Sequence, residues 1–296
     1  MNSLAASAAP KLSRQTIALV LVASLGYFVD VYDLILFAVV RQKSLVGIGV
    51  PEAQLLETGK SLLALQMNGM LVGGILWGVL GDKRGRLSVL FGSIFLYSLA
   101  NAINAAVHDV QTYAAMRFLA GVGLAGELGA GITLVTETLS KHRRGIGTTI
   151  IASVGVLGAV AAGLVGDRFE WRTAYVVGAV LGFVLLALRI GLHESGLFVA
   201  AKSSDAARGS VWLLLGNGPR LRRFVALILV GVPVWFIVGI LITFSPEIGK
   251  ALGMQELPKA GLAVTFNYIG VTFGDMASGF LSQALQSRQL RGVPHP

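Results

Sequence analysis

The sequence predicts an all-α, polytopic membrane protein, and three observations predict it. Of the 296 residues, 54% are hydrophobic and only 13% charged, with a mean hydropathy of +0.74. A soluble chain of this length could not hide that much apolar surface. The apolar residues come in blocks of about 20, the length that spans a bilayer core as helix. Many of the 38 glycines lie inside those blocks. A soluble helix loses about 1 kcal/mol for each such glycine relative to Ala, whereas membrane helices use glycine for close packing.

Eight spans are expected: 16–40, 61–81, 87–107, 112–137, 147–166, 173–192, 223–245 and 261–284. The first block, Ile17 to Val40, is too long for a signal-peptide core, and no convincing small-residue cleavage site follows it. The second and third are separated only by the charged stretch that ends at Arg86. The fourth is the least uniform, because it contains Arg117 and Glu127. The fifth and sixth are joined by a short segment holding Arg168 and Arg172. The longest polar connection, 193–222, follows the sixth. It divides the chain into a six-helix bundle over 1–192 and a partial second bundle over 223–296, holding spans seven and eight.

Orientation follows from Lys and Arg in the loops. With the N-terminus inside, cytoplasmic segments carry fifteen of the 24 cations, outer segments seven, and Arg117 and Arg189 lie within spans. Both ends are therefore expected in the cytoplasm, with the chain integral to the plasma (inner) membrane. The net charge of +9 is explained by this topology. Basic residues spread over short loops do not form the single basic face that a nucleic-acid binder needs, so no nucleic-acid partner is expected.

Several chemistries are excluded. There is no cysteine, hence no disulfide or thiolate metal site, and the four histidines are scattered. Gly121-Val122-Gly123-Leu124-Ala125-Gly126 fits G-x-G-x-x-G, but it lies within a span and lacks the strand that a dinucleotide fingerprint requires. No Walker loop or Asp-Ser-His set is evident. The expectation is a protein that is not an enzyme and uses no cofactor and no metal.

The most informative stretch is Gly78-Val79-Leu80-Gly81-Asp82-Lys83-Arg84-Gly85-Arg86. An acid, three cations and glycines cluster in a loop between two spans, so their charges act on the adjoining helix ends. It matches G-x-x-x-D-[RK]-x-G-[RK], the loop motif of the major facilitator superfamily, at Gly78, Asp82, Lys83, Gly85 and Arg86. Arg117-Phe118-Leu119-Ala120-Gly121-Val122-Gly123 resembles the R-x-x-x-G-x-G of sugar porters and metabolite–proton symporters. Glu137 with His142-Arg143-Arg144-Gly145 resembles the acid and H-R-G at the inner end of the same helix. Val31-Tyr32-Asp33 is similar to the G-Y-D or W-Y-D of those families, and His193-Glu194-Ser195-Gly196 partly resembles their P-E-S-P. After span eight the mirrored loop motif is eroded: Gly279 and Arg288 are present, and Gln283 stands in place of the acid.

The resemblance implies a fold of twelve helices in two halves, an inter-half rocking surface on helices two, five and eight, and a gate loop. That gate would comprise Gly78, Asp82, Lys83, Arg84, Gly85, Arg86, Glu137 and Arg144. It also implies transport of a small molecule driven by protons. With eight spans in 296 residues, the expectation is a chain truncated after its eighth helix, lacking helices nine to twelve. The competing reading is a non-transporting membrane protein, either a gene fragment or a sensor.

Ionised groups near a bilayer centre cost roughly 2.5–3.5 kcal/mol on insertion scales, so they are expected in pairs or facing a watery cavity. Asp33 lies seven residues from the outer end of span one and Arg117 five from the outer end of span four. At about 1.5 Å per residue their depths differ by only about 3 Å. Asp30 shares a helical face with Asp33, so Arg117 can pair with either. The resemblance selects Asp33 as the proton site, opposite Arg117; the alternative is a static ion pair. Glu127, ten residues deeper than Arg117, and Asp275, fourteen residues into span eight, lie near the midplane, where such transporters bind substrate. Each has a bland alternative: a buried, hydrogen-bonded acid for Glu127, and a loop-facing acid for Asp275. Asn68, Asn267 and Tyr268 complete the expected substrate cavity, or serve as interhelical glue. Small residues recur every four positions at Gly74 and Gly78, at Gly155, Ala159 and Gly163, at Gly158, Ala162 and Gly166, and at Gly270 and Gly274. The expected partners are protons, the lipid bilayer and a small polar substrate, either an organic anion or sugar-like.

Overall fold

In a computed structural model of the chain, every regular element among the described residues is helical. Those residues are 14–127, 129, 132, 133, 139, 144–190 and 212–284. The helices are α1 (Arg14–Gly47), α2 (Leu55–Arg84), α3 (Arg86–Asn104), α4 (Val110–Leu124), α5 (Arg144–Arg168), α6 (Trp171–Leu188), α7 (Gly218–Phe236) and α8 (Ala260–Ala284). A 3-10 turn (Glu52–Gln54) precedes α2, and a single helical turn (Trp212–Leu215) precedes α7. A π-helical segment (Ile237–Ile242) extends α7, and a short helix (Ser245–Ala251) follows it.

Eight helices thus lie where the eight apolar blocks are. Among the described residues, six stretches are both long and apolar enough to cross a membrane, and these are spans one, two, three, five, six and seven. Span eight has the length, 25 residues, but its Asn267, Asp275 and small polar residues make it less apolar. In the fourth, the regular helix α4 ends at Leu124, a turn follows at Ala125 and Gly126, and the described residues 127, 129, 132 and 133 are again helical. Three helices outrun their apolar cores; α1 runs on to Gly47. α2 begins at Leu55 rather than at residue 61, because Glu57 and Lys60 pair on its surface at 2.6 Å and continue the helix beyond the apolar block. α7 begins at Gly218 because the Asn217 side chain accepts the Arg220 N–H at 3.1 Å and Pro219 occupies the first turn.

α1 is the hub. It packs along α5 and against α6, α8 packs along α5 as well, α3 packs along both α6 and α4, and α2 packs chiefly along α4. The largest core cluster holds Tyr32, Phe37, Val40, Tyr113, Trp171 and Tyr175. Glycines set the closest helix approaches. Gly158 meets the backbone carbonyl of Phe28 on α1, Gly163 meets Gly261 and Thr265 on α8, and Gly279 of α8 meets Thr149 of α5. The expected small faces of α5 are therefore both in use. On α2 the packing face is Gly69 and Gly73, which meet Phe118 and Val122 of α4, whereas Gly74 and Gly78 have open space beside them. Gly270 and Gly274 on α8 are likewise open. α7 has no buried residue, and Leu227 and Val230 are 73% and 75% exposed, a surface suited to hydrocarbon tails.

The motif G-x-G-x-x-G is packing surface. Gly121 lies on the Gln66 carbonyl of α2, Gly123 against Ser93 and Tyr97 of α3, and Gly126 against Ser93 and Trp77. The end of α4 is built there too. Trp77 Nε1 donates to the Val122 carbonyl at 2.6 Å, and the Gly126 N–H turns to the Gly123 carbonyl at 3.1 Å. The helix tightens by one residue, and Glu127 emerges from that turn.

Candidate functional site

Two buried charge centres lie between α1, α3, α4 and α6. One, the outer centre on the orientation expected from the sequence, is built on Arg117, which is fully buried. Its Nη2 donates to Asn101 Oδ1 at 2.9 Å. Its guanidinium sits over three rings, with centroids at 4.9 Å for Tyr175, 5.8 Å for Phe37 and 5.9 Å for Tyr113. Such cation–π contacts strengthen when desolvated. The rings are fixed in turn: the Tyr113 and Tyr175 hydroxyls lie 2.6 Å apart, and Tyr113 Oη donates to Ser44 Oγ at 3.0 Å. Asp33, 2% exposed, stands on the other side of Asn101. Asp33 Oδ1 and Asn101 Nδ2 both lie beside Gly178 of α6, where a larger residue would displace them.

Asp33 and Arg117 therefore share one level, as the helix rise predicts, but they do not form a direct ion pair. Both Asp33 oxygens and the Arg117 Nε lack a hydrogen-bond partner. Asn101 holds the guanidinium between them. This corrects the expectation of a direct contact, and the physical reason is the cage around the guanidinium: the rings of Phe37 on α1, Tyr113 on α4 and Tyr175 on α6, with the Asn101 amide of α3, hold it.

The inner centre is a salt bridge between Glu127 and Arg189. Arg189 Nη1 donates to Glu127 Oε2 at 2.7 Å and Nη2 to Oε1, so the pair is bidentate. Both side chains are 1% exposed. Gly26 of α1 lies directly against both partners. It is two residues inward of residue 28, the midpoint of span one, or about 3 Å. Asp30 lies within electrostatic reach of Glu127, Arg189 and Asp33, with the Tyr97 hydroxyl as its nearest neutral donor. Neither its oxygens nor that hydroxyl closes a hydrogen bond. The two centres thus hold three carboxyl groups and two guanidiniums, all 5% exposed or less.

The expected substrate-cavity residues do not come together. Glu127 is closed off by Arg189. Asn68 is exposed on α2. Tyr268 is buried in the largest core cluster, and Asn267 is half-buried with its Nδ2 unpartnered. Asp275 is half-buried on α8, within electrostatic reach of Tyr27 on α1. A cavity of about 350 Å³ lies elsewhere, between α1, α2 and the π-helical segment. It is lined by Leu34, Ala38, Leu63, Met67, Trp235 and Phe244 among others, with Lys60 and Thr243 as its polar groups.

The gate motif is tighter than a loop. α2 runs through Asp82, Lys83 and Arg84, and α3 starts at Arg86, so Gly85 alone makes the turn. Its φ of 105° and ψ of 160° belong to a region essentially restricted to glycine. The Gly85 N–H closes on the Gly81 carbonyl at 3.2 Å, and Ser88 Oγ donates to the Gly85 carbonyl at 2.8 Å. Glu137 and the side chains of Arg86 and Arg144 lie outside the described residues.

A family profile described as Major Facilitator Superfamily matches residues 16–293. The chain belongs to the major facilitator superfamily. Among its relatives is a Haemophilus influenzae protein assigned by description to metabolite transport, 28% identical over 274 residues, covering 88% of this chain and 66% of that protein. The niacin transporter NiaP of Acinetobacter baylyi is 32% identical over 123 residues, or 40% of this chain and 28% of its own. The 3-(3-hydroxy-phenyl)propionate transporter of Escherichia coli is 31% identical over 140 residues, 46% of this chain and 35% of its own. Among solved structures, the xylose transporter XylE from E. coli in a partially occluded inward-open conformation superposes with a TM-score of 0.66 at 15% identity. That match covers 93% of this chain and 74% of the other, and it carries the superfamily fold. This facilitator chain spans at most about two thirds of the length of the curated relatives it matches.

Sequence reasoning missed Arg189 as the partner of Glu127. The available signal was that each is an ionisable residue inside a span, and such residues need partners.

Proposed function

We propose that the chain is the membrane-embedded core of a secondary transporter that moves a small organic anion with protons by alternating access. The observation that carries the proposal is the imbalance of buried charge: Asp30, Asp33 and Glu127 against Arg117 and Arg189, with all four oxygens of the two aspartates unpartnered. Glu127 and Arg189 pair with each other, and Arg117 is held by Asn101 and its rings. One carboxyl is left over in a water-poor site, where an unpaired charge is costly. A proton neutralises that excess, and Asp33, next to Arg117, is where it acts. With Asp33 ionised, Arg117 is drawn towards α1. With Asp33 protonated, the guanidinium rests on Asn101 and the aromatic cage, and its hold on α1 is reduced to the Phe37 ring. Proton binding thereby changes how α1 is held.

An organic anion is favoured over a sugar for two reasons. The relatives named above include transporters of niacin and 3-(3-hydroxy-phenyl)propionate, and a 4-hydroxybenzoate transporter of Pseudomonas aeruginosa is 27% identical over 152 residues. The cavity is apolar and aromatic with a single cation, Lys60. A sugar buried there would leave most of its hydroxyls unpaired, at about 1–3 kcal/mol each. The inner-membrane location with both ends inside belongs to the same proposal.

The test is uptake of labelled niacin and 4-hydroxybenzoate into proteoliposomes with an acid exterior. Asp33→Asn is expected to abolish uphill accumulation while leaving exchange of substrate across the membrane. Unchanged pH-driven accumulation in both Asp33→Asn and Asp30→Asn would remove proton coupling from these residues.

A further inference from the structure

Asp30 is buried and its carboxyl oxygens are unpartnered, so a proton needs an intermediary to reach it from water. Tyr27 stands one helical turn before Asp30 on α1, which makes the two side chains neighbours on that helix. The Tyr27 ring packs on Gly155 of α5, which has no side chain to hold it off. Tyr27 is half-buried. It borders the largest core cluster, which holds Val156 and Tyr268, and also a second cluster around Ala23 and Ile151. It therefore lies in the seam where α1, α5 and α8 meet.

Asp275 faces the same seam. The packed stripe of α8 runs through Gly261, Thr265, Tyr268, Thr272, Asp275 and Gly279, at alternating steps of four and three, while Phe266, Phe273 and Phe280 between them are exposed. Two contacts fix the register of this stripe on α5: Gly163 meets Gly261 and Thr265, and Gly279 meets Thr149. Between those contacts the helices run antiparallel, so Gly155, and Tyr27 with it, stands about level with Thr272. Asp275 is one turn further on, about 4.5 Å along the axis. Tyr27 lies within electrostatic reach of Asp30 on one side and Asp275 on the other, and Tyr268 lies within reach of Tyr27. No other ionisable group of α5 or α8 enters the seam: 146–166 contains none, and 260–284 only Tyr268 and Asp275. On its far side Asp30 faces Glu127, Arg189, Asp33 and Tyr97. Asp275 is half-buried and in touch with water, Asp30 is not, and the Tyr27 hydroxyl, both donor and acceptor, stands between them.

We propose that Asp275 and Tyr27 form the proton route to Asp30, in which Asp275 collects the proton from water and the Tyr27 hydroxyl passes it on. The carboxylic O–H bond of Asp275 breaks as Tyr27 Oη takes that proton, and the hydroxyl's own proton goes to an Asp30 carboxylate oxygen. The hydroxyl is neutral before and after, and one negative charge has passed from Asp30 to Asp275. Asp33, one turn beyond Asp30 on the same face, then draws on Asp30. The inference rests on the proton-coupled reading, and it gives Asp275 a relay role instead of a place in a substrate cavity.

The readout is the carboxyl C=O stretch, followed by time-resolved infrared spectroscopy after a pH jump on the full 296-residue chain in lipid nanodiscs. The parent is expected to show a carboxyl band that responds to the jump and is missing in Asp30→Asn. Tyr27→Phe keeps the ring on Gly155 and removes only the hydroxyl, and it should slow the rise of that band at least tenfold while leaving its final amplitude unchanged. Asp275→Asn should slow it similarly, and Asp275→Glu should restore the parent rate, which a merely structural role would not do. Where Tyr27→Phe fails to fold, the Asp275 pair of variants carries the test. Parent-like rates in both Tyr27→Phe and Asp275→Asn would overturn the relay. A responding band that survives Asp30→Asn and is lost in Asp33→Asn sinks the relay alone and leaves proton coupling at Asp33. A chain with no responding band that either substitution removes overturns the relay and the proton-coupled reading together. Transport does not enter the readout.

Discussion

The Glu127–Arg189 pair makes an asymmetric prediction. Removing one partner of a buried salt bridge costs about 3–5 kcal/mol, because the other charge is left without compensation. Both partners here are 1% exposed, so solvent screening does not reduce that figure. Asp30 breaks the symmetry. If Glu127→Gln removes the acid, Arg189 still has the Asp30 carboxylate within electrostatic reach and an amide oxygen at its old bonding position. The loss should fall at or below the lower end, about 3 kcal/mol. If Arg189→Met removes the base, Glu127 and Asp30 face each other as like charges with no cation between them. That loss should reach the upper end, about 5 kcal/mol. Joint replacement, Glu127→Leu with Arg189→Met, should cost less than Arg189→Met alone, since no orphaned partner remains. The assay is the fraction of monodisperse protein surviving a temperature ramp in mild detergent, read by fluorescence-detected size exclusion. An Arg189→Met variant as stable as Glu127→Gln, or more stable, would refute the claim that Asp30 belongs to the inner charge centre.

Three other outcomes follow from the geometry. Gly85→Ala should destabilise the α2–α3 turn by roughly 1–3 kcal/mol, because φ 105° with ψ 160° is strained for any Cβ; a melting temperature equal to the parent's would contradict that backbone. Gly158→Ala should cost about 1–3 kcal/mol as its methyl drives into the Phe28 carbonyl, whereas Gly74→Ala, with open space beside it, should be neutral or slightly stabilising; the same ramp compares them. Asp109 caps α4 by accepting the Thr112 N–H at 2.7 Å, which holds its carboxyl below the usual carboxylate range. A depressed folded-state value means the contribution is present above the unfolded pKa of about 3.9 and is lost as pH falls through the folded value. Amide protection at Thr112 and Tyr113 should therefore drop below about pH 4 in the parent and persist in Asp109→Asn, which caps without titrating.

Spans and levels were legible because both follow from one-dimensional quantities: apolar block length and a fixed rise per residue. That arithmetic places Asp33 and Arg117 together, and it requires nothing about which side chains touch. Two of the failures are about azimuth. Two interleaved small-residue pairs exist on α2, Gly69 with Gly73 and Gly74 with Gly78. Spacing alone does not say which of them faces α4, and only the first does. Asp33 and Arg117 likewise share a depth, but an amide and three rings decide which way the guanidinium turns. Arg189 was hidden for a different reason. It lies at the inner end of α6, where a cation ordinarily reaches the headgroups, and its long side chain reaches back instead towards Gly26 and Glu127.

The charge inventory can be read from the sequence, but the pairing cannot, and function depends on the pairing. Had Asp33 taken Arg117 directly, Asp30 and Glu127 would compete for Arg189, and the surplus acid would lie deep in the inner centre. The observed arrangement gives both Arg189 Nη atoms to Glu127, while Arg117 is engaged by Asn101 and its rings. The surplus carboxyl is thereby moved to the Asp30–Asp33 face of α1. On the proton-coupled reading proposed above, a proton arriving on that face acts on α1, whose close contacts on α5 are made at Gly158 and Gly166.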